Sequence, residues 1–307
     1  MANRSWLVPG AFILLGLIWG SSFLWIKIGV REMDPATLVA YRVSIGAVAM
    51  LAYMRLSGDK LPRSWRELAP LAGLGMIATA LPFLLITWAE LYIDSGTAAV
   101  LNSLTPIFSL VLAGLILRTE SITVVRVLGL VTGFGGAALL ASREFAMRGD
   151  LLALAGTGAV TIAAISYAAG ASLSRATVRD TPPNVVAAGN LTFGAIYIWI
   201  FTLVSGANPA PPAHLGSVIA LLWLGLLGSF FAFVLLYFLL ANLEATVATM
   251  VTYLFPVVGV SFGVIFLGEI LDARLLIGTG LVVVGIVVVS LRYDQVMRLV
   301  TGGGRTG

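Results

Sequence analysis

The sequence predicts an all-α integral membrane protein in which ten transmembrane helices form two inverted five-helix repeats around a central cavity. Three observations carry this fold class. The composition is 59% hydrophobic and only 10% charged, whereas about 25% of the residues of a soluble domain are charged. Ten apolar windows are each long enough to cross a bilayer. Two stretches of the chain also align with each other at a constant offset.

The ten windows leave no room for a separate soluble domain. A spanning helix needs about 20 mostly apolar residues, and the first window is too long for the apolar part of a cleaved signal peptide. The windows group into a first repeat at 8–141 and a second at 150–292, with a tail at 293–307. They are 8–28, 36–56, 68–89, 95–117, 122–141, 150–173, 184–204, 216–240, 245–267 and 273–292.

The residue inventory excludes several kinds of chemistry. Because the chain has no cysteine and one histidine, His214, it offers no disulfide framework, thiolate nucleophile or histidine-rich metal cluster. No window carries an Asp or Glu near its centre, as paired-carboxylate catalysis would need. The net charge of +4 comes from basic residues spread over short loops, which does not indicate a nucleic-acid surface. We expect no enzyme, no cofactor, no metal and no nucleic-acid partner.

The placement of Lys and Arg predicts the orientation in the membrane, because cytoplasmic loops carry the excess of positive charge. With the N-terminus inside, twelve basic residues fall on the cytoplasmic side and five on the opposite side, with Arg42 left inside a window. We therefore expect a multi-pass protein of the cell inner (plasma) membrane. Both termini are expected in the cytoplasm, and the 142–149 and 205–215 loops outside.

The two halves of the chain resemble each other. Pro70–Pro106 aligns without a gap onto Ala220–Pro256 at an offset of 150, and the identical pairs include Gly75 with Gly225. Each half carries five helices, an odd number, so the halves must cross the membrane in opposite orientations. Inverted repeats of this kind are typical of secondary transporters. Duplication in a channel or a membrane scaffold stays an alternative.

Two prolines occupy the centres of equivalent windows. Pro106 and Pro256 each remove one helical hydrogen bond, which frees the carbonyls of Asn102 and Thr252 four residues earlier. A freed carbonyl at this depth is tolerated only where protein or a water-filled cavity satisfies it. Matching interrupted helices therefore point to a binding site at the midplane, with a pair of packing kinks as the alternative.

Polar and aromatic side chains gather at the same depth and form the predicted substrate site. The Asn102 and Thr252 carbonyls would bind an ammonium group, and the backbone N–H groups beyond each break would suit a carboxylate. Two side chains have a second interpretation, since Trp19 could be packing and Arg42 could reach the outer interface. The candidate residues are Trp19, Ser22, Phe23, Arg42, Thr79, Phe83, Asn102, Thr105, Tyr167, Phe231, Thr252 and Tyr253.

Several of these residues resemble the EamA-type repeats of the drug/metabolite transporter superfamily. The resemblance rests on Trp19-Gly20-Ser21-Ser22-Phe23, Arg42, the prolines Pro106 and Pro256, and the glutamates Glu120 and Glu269. The overall pattern is similar to YddG-type amino-acid and metabolite exporters. This resemblance implies ten helices around a cavity, alternating access and export of aromatic or other neutral amino acids. The second repeat departs from it, with Ile165-Ser166-Tyr167 where the first has Ile18-Trp19-Gly20.

These observations together predict a secondary transporter that exports small neutral amino acids, aromatic ones included, or related metabolites. Its partners are the small-molecule substrate and the lipid bilayer, and it is expected to be a monomer or weak dimer. The alternatives are a drug or other metabolite exporter of the same superfamily and, in a different class, a channel. Because the windows lack a central titratable group, facilitated diffusion is expected, unless Glu90 turns inward from the end of its helix.

Overall fold

The computed structural model describes residues 7–112, 123–243 and 250–290, and all regular elements in this part of the chain are helical. Nine helical segments are long and apolar enough to cross a membrane, and Ser95–Val111 is a shorter apolar one. The predicted all-α membrane fold is confirmed. The segments are α1 (Leu7–Gly29), α2 (Pro35–Leu56), α3 (Trp65–Ala89), α4 (Ser95–Val111), α5 (Val124–Arg148), α6 (Leu151–Thr177), α7 (Pro183–Val204), α8 (Leu215–Asn242), α9 (Met250–Leu267) and α10 (Ala273–Ser290).

The helix contacts have the symmetry of an inverted repeat. Equivalent helices pack on each other in the pairs α2 with α7, α4 with α9 and α5 with α10. Several contacts between unlike helices have a counterpart: α1 with α9 matches α6 with α4, and α3 with α6 matches α8 with α1. The contact of α3 with α7 likewise matches that of α8 with α2. This pattern confirms two five-helix repeats related by a pseudo-two-fold axis.

The loop expected at 142–149 is wrong, because α5 continues through it to Arg148. The last turns of α5 carry Arg143, Glu144 and Arg148, and these charges form ion pairs with one another. The helix can therefore extend beyond its apolar window. Gly149 then adopts the left-handed conformation at φ 65° that commonly ends a helix. The carboxylate of Asp150 accepts the Leu152 N–H at 2.9 Å and begins α6.

Two helices contain π-helical segments that the sequence analysis did not predict. In α3 the segment is Gly75–Ala80, and in α8 it is Trp223–Phe231, which covers the equivalent positions at the offset of 150. Pro82 follows the first segment and has no N–H for the regular hydrogen bond. In the second, the Ser229 hydroxyl donates to the Leu224 carbonyl at 2.9 Å. Such insertions into the hydrogen-bond ladder widen a helix, and they are frequent at functional sites.

Glycines allow α5 and α10 to pack with their backbones in contact. A Cβ added at Gly285 would lie 2.5 Å from the backbone nitrogen of Gly133 and 2.7 Å from the carbonyl oxygen of Gly129. No side chain fits at such distances unless the two helices separate. Close approach through small residues is a main source of attraction between helices in lipid, so this contact joins the two repeats.

Replacing Gly285 by alanine should destabilise the folded protein by about 1–3 kcal/mol, the usual cost of overpacking. The free energy of unfolding in detergent micelles measures this loss. Gly280→Ala on the same helix is the matched control, because a Cβ there meets nothing within 4 Å. Equal stability of the two variants would contradict the backbone contact.

Candidate functional site

The first break lies in α4, which ends its first helical part at Asn102 and begins its second at Thr105. Pro106 is in the first turn of that second part. The hydroxyl of Thr105 donates to the Asn102 carbonyl at 2.8 Å, so one lone pair of the carbonyl predicted for an ammonium group is already used. The side-chain oxygen of Asn102 is buried and has no hydrogen-bond partner among the residues described.

The second break lies in α9, at the equivalent position of the other repeat. Met250–Tyr253 forms a 3₁₀ turn, and the α-helix then runs over Leu254–Leu267 with Pro256 in its first turn. Thr252 is therefore within the 3₁₀ turn. The hydroxyl of Tyr253 is hydrogen-bonded to that of Ser290 on α10. Both prolines thus mark a change of helical geometry.

Arg42 is turned into the bundle and does not reach the interface. Its side chain is 4% exposed, and its Nε donates to the Ser229 hydroxyl at 3.2 Å. The guanidinium carbon lies 4.0 Å from the ring centroid of Phe83, a cation–π contact. The Ser229 contact is the one hydrogen bond of this side chain within the described part of the structure, which leaves the two terminal nitrogens for a ligand.

The π-helical segment of α8 brings two polar groups to this position. Gly225 lets α2 approach closely, since a Cβ there would lie 2.7 Å from the Cβ of Ile45. One turn later the Gly228 carbonyl accepts a hydrogen bond from the Trp19 indole nitrogen at 3.2 Å. The adjacent Ser229 hydroxyl contacts Arg42. The widened helix therefore positions both Trp19 and Arg42.

Further aromatic rings pack on Phe83 and on the neighbouring Trp19. The Trp19 ring meets Phe233 and Phe255 edge to face, with centroids 6.5 and 6.3 Å apart. The Phe83 ring meets Tyr167 in the same way at 6.5 Å. Trp19 packs against all three hydrophobic clusters of the bundle. Trp19, Arg42, Phe83, Tyr167 and Ser229 lie where the two repeats meet. We call these five residues the central cluster.

Other predicted site residues are placed differently. Phe231 packs against the hydrophobic cluster between α1 and α8, and the ring of Phe233 contacts that of Trp19. The π-helical turn changes which face of α8 each residue lies on, which a regular helical period could not predict. The hydroxyls of two further residues are bonded within the protein: Ser22 donates to the Ile18 carbonyl at 3.0 Å, and Thr79 to the side chain of Asn190 at 2.7 Å. Phe23 packs on Phe255.

A second group of charged side chains closes one end of the bundle, which we call the distal end. It is the end formed by the 30–34, 90–94, 149–150, 205–214 and 268–272 loops. Arg143 is 1% exposed and binds Asp94 at 3.0 Å, Glu144 at 2.7 Å and Asp272 at 2.8 Å. Arg148 adds a second ion pair to Asp94 at 2.9 Å. These five residues, the distal cluster, join α4 and α5 of the first repeat to the α9–α10 loop of the second.

Glu269 strengthens the same closure. Its carboxylate accepts the backbone N–H groups of Ser95 and Gly96 at 2.6 and 3.0 Å, at the start of α4. Burial raises the pKa of nearby Asp272, but hydrogen bonds from the Leu275 N–H and from Arg143 outweigh it, so this pKa is lowered. Glu120, the counterpart of Glu269, lies outside the residues described.

A cavity of about 550 Å³ lies at the distal ends of α2, α3 and α7, where Asp34, Trp88, Tyr92 and Phe201 help to line it. No member of the central cluster is among its lining residues.

Comparison with known proteins decides the family. The model of the EamA-like transporter family matches residues 8–142 and matches again at 154–291. The chain belongs to the EamA-like transporter family. The double match of this EamA protein agrees with the pseudo-two-fold arrangement of its helices.

Relatives of this EamA protein align over nearly their whole length. An uncharacterized transporter of Archaeoglobus fulgidus is 29% identical over 93% of this chain and 98% of its own. The uncharacterized inner membrane transporter YedA of Escherichia coli K12 is 30% identical, over 92% and 90%. A probable terminal-alkyne amino-acid exporter of Streptantibioticus cattleyicolor is 27% identical, over 92% and 93%. A solved crystal structure with 18% identity and a TM-score of 0.66 covers 92% of this chain and 96% of its own, and it shares the fold.

Proposed function

We propose that this membrane transporter of the EamA family exports small neutral amino acids, aromatic ones included, by alternating access. One observation carries the proposal: the terminal nitrogens of Arg42 are unpaired beside aromatic rings at the meeting point of the repeats. A guanidinium matches the geometry of a carboxylate with two parallel hydrogen bonds. The rings of Trp19, Phe83 and Tyr167 provide contact area for an apolar or aromatic side chain.

The relatives support an amino-acid substrate. The Streptantibioticus cattleyicolor relative, whose name describes an amino-acid exporter, aligns with this chain over 283 residues. That alignment spans both repeats, so it includes the helices that contribute Arg42 and Ser229. An α-carboxylate is common to all amino acids. Arg42 would therefore bind amino acids in general and would not select one of them.

The charges and the breaks support alternating access with export as its direction. The distal cluster joins the two repeats at one end through the ion pair of Arg143 with Asp272, and such a pair can separate when water enters. The helical breaks before Pro106 and Pro256 provide equivalent flexible points in α4 and α9. From the Lys and Arg distribution we propose that the distal end faces outside and that both termini are cytoplasmic. The Escherichia coli relative is named an inner membrane transporter.

Transport by the purified protein in vesicles tests this function. Vesicles loaded with one unlabelled amino acid should take up the same labelled amino acid by exchange, with saturation. We expect exchange for phenylalanine, leucine and threonine and little for aspartate or lysine, whose side-chain charges have no partner in the central cluster. The measurement is the initial rate against a panel that also contains cationic drugs and nucleotide sugars.

The same measurement separates the alternatives. If the protein exchanges a drug or a nucleotide sugar but no amino acid, the proposed substrate class is wrong and the assignment as a transporter stands. Flux that does not saturate and shows no exchange would indicate a channel. Facilitated diffusion remains the expectation from the sequence, and it depends on the position of Glu90.

A further inference from the structure

Glu90 is a buried carboxyl group that none of the roles above uses. It follows directly after α3, and its exposed fraction is 0%. Neither carboxyl oxygen has a hydrogen-bond partner in the described part of the chain. Buried acidic groups are normally paired, as Glu144 is in the distal cluster. An unpaired carboxyl group at this depth therefore requires an explanation.

Glu90 lies between the central cluster and the distal cluster. Phe83, Thr87 and Glu90 follow one another at spacings of four and three, so they share one face of α3. Phe83 is the ring beneath the Arg42 guanidinium, and Glu90 lies about 10 Å farther along the helix axis. The Thr87 hydroxyl on this face is also buried and without a partner among the described residues. The face therefore leads from the proposed substrate site toward the distal end.

Charges from three other elements act on Glu90. They are Lys27 on α1, Arg42 on α2 and Glu269 in the α9–α10 loop. The Lys27 ammonium donates to the backbone carbonyls of Glu90 and Ile93, so its hydrogen bonds go to the end of α3 and not to the carboxyl oxygens. The position of Lys27 is thus fixed by the backbone whatever the charge of Glu90.

Lys27 is in turn influenced by Asp94 and by Arg148 of α5, both in the distal cluster. Any rearrangement that separates the distal cluster therefore changes the electric field around Glu90. It also lets water reach the carboxyl group from the distal end. Burial without donors favours the neutral form of a carboxyl group, whereas water stabilises its ionised form. The charge of Glu90 should depend on which end is open.

We propose that Glu90 is a proton-binding site that couples export to inward movement of a proton. The proposal rests on the transport function proposed above. With the distal end open, a carboxylate oxygen of Glu90 takes a proton from outside water and forms an O–H bond. After the bundle opens to the cytoplasm, that O–H bond breaks and the proton passes to cytosolic water. One substrate leaves and one proton enters in each cycle.

The coupling follows from the missing hydrogen-bond donors. An empty carrier with an ionised Glu90 would have to bury a carboxylate that has no hydrogen-bond donor in order to close, which is disfavoured. Protonation removes that charge and permits the return step. On the export step, the ammonium group of the amino acid supplies the positive partner instead. The proton and the substrate therefore alternate at the same carboxyl group.

A proton fits this position better than a metal cation. A metal ion needs several oxygen, nitrogen or sulfur ligands, and no group of three His, Cys, Asp or Glu that could hold a metal is found in the described residues. A proton needs only one oxygen.

Vesicles with an imposed pH difference test the coupling. With an acidic lumen and leucine outside, the native protein should accumulate leucine above the outside concentration, by about tenfold per pH unit when one proton exchanges for one substrate at zero membrane potential. Glu90→Gln should bring leucine only to equal concentrations, and its exchange at equal pH should be slower because the ammonium group of leucine loses its charged partner. Glu67→Gln, at an exposed glutamate, is the control and should accumulate leucine like the native protein.

The outcomes are distinguishable. Exchange without accumulation in the native protein would overturn the proton site and keep the amino-acid exporter. Accumulation that persists in Glu90→Gln, or that a sodium gradient drives equally, would overturn it as well. Absence of any amino-acid exchange would contradict the proposed function. In that case infrared spectroscopy still tests the site: a protonated carboxyl band at neutral pH that disappears in Glu90→Gln supports it, and a spectrum without that band overturns it.

Discussion

Replacing Arg42 by glutamine should reduce the rate of amino-acid exchange by about 30-fold to 1,000-fold, which corresponds to a loss of about 2–4 kcal/mol. Arg42 is the buried cation of the central cluster, and its terminal nitrogens are unpaired. Glutamine keeps polar contact with Ser229 but cannot balance the charge of a carboxylate. The rate of labelled leucine exchange measures the effect.

Two variants make this result specific. Arg42→Lys keeps the charge but loses the planar fork and the stacking on Phe83, so its exchange rate should lie between those of the native protein and Arg42→Gln. Arg66→Gln, at an exposed arginine, should exchange at the native rate. The unfolding temperatures of all three variants should stay close to that of the native protein. A native exchange rate in Arg42→Gln would show that this arginine serves only packing.

Replacing Arg143 by glutamine should lower the free energy of unfolding by about 3–5 kcal/mol, because it removes the cation from buried carboxylates. Glu144 and Asp94 would then lie close together without Arg143 between them. The loss should shrink as the pH falls, since protonation of Glu144 relieves its repulsion with Asp94. Unfolding in detergent micelles between pH 7.5 and pH 5 measures both effects.

Arg274→Gln provides the matched control, because Arg274 is an exposed arginine near the same end of the bundle. It should leave stability unchanged. Adding Asp94→Asn and Glu144→Gln to Arg143→Gln should restore part of the loss, since the two carboxylates that repel each other are then gone. A stability loss that neither acid nor the triple substitution reverses would mean that Arg143 acts through packing alone.

The sequence alone was sufficient for the architecture. Hydrophobic length sets the number of spanning helices, and the odd number in each half forces the inversion. The contact symmetry and the family match agree with both. The helix breaks at Pro106 and Pro256 could also be predicted from the sequence, because a proline disrupts its own helix whatever surrounds it. Arg42 was singled out for a similar reason, as a charge inside an apolar window.

Contacts between distant parts of the chain needed the tertiary structure. Arg42 and Ser229 are 187 residues apart in sequence, and no local pattern joins them. Whether Arg42 reached the interface or turned inward depended on Phe83 and Ser229 as partners. The π-helical turn in α8 determines that Phe233, and not the predicted Phe231, lies beside Trp19. Ser229, within a helix and next to glycines, was a signal in the sequence that could have suggested this turn.

The sequence by itself determined the membrane class, the ten windows, the inverted repeat and the two proline breaks. These depend on properties of short segments: apolar length, helix period and the missing proline N–H. The tertiary structure decided the rotation of each helix about its axis, and therefore which charges meet. That rotation joins Arg143 to Asp94 and Asp272, extends α5 beyond its window, and buries Glu90 without a partner. The energy of a charge in lipid depends on its neighbours, and only the packed bundle specifies them.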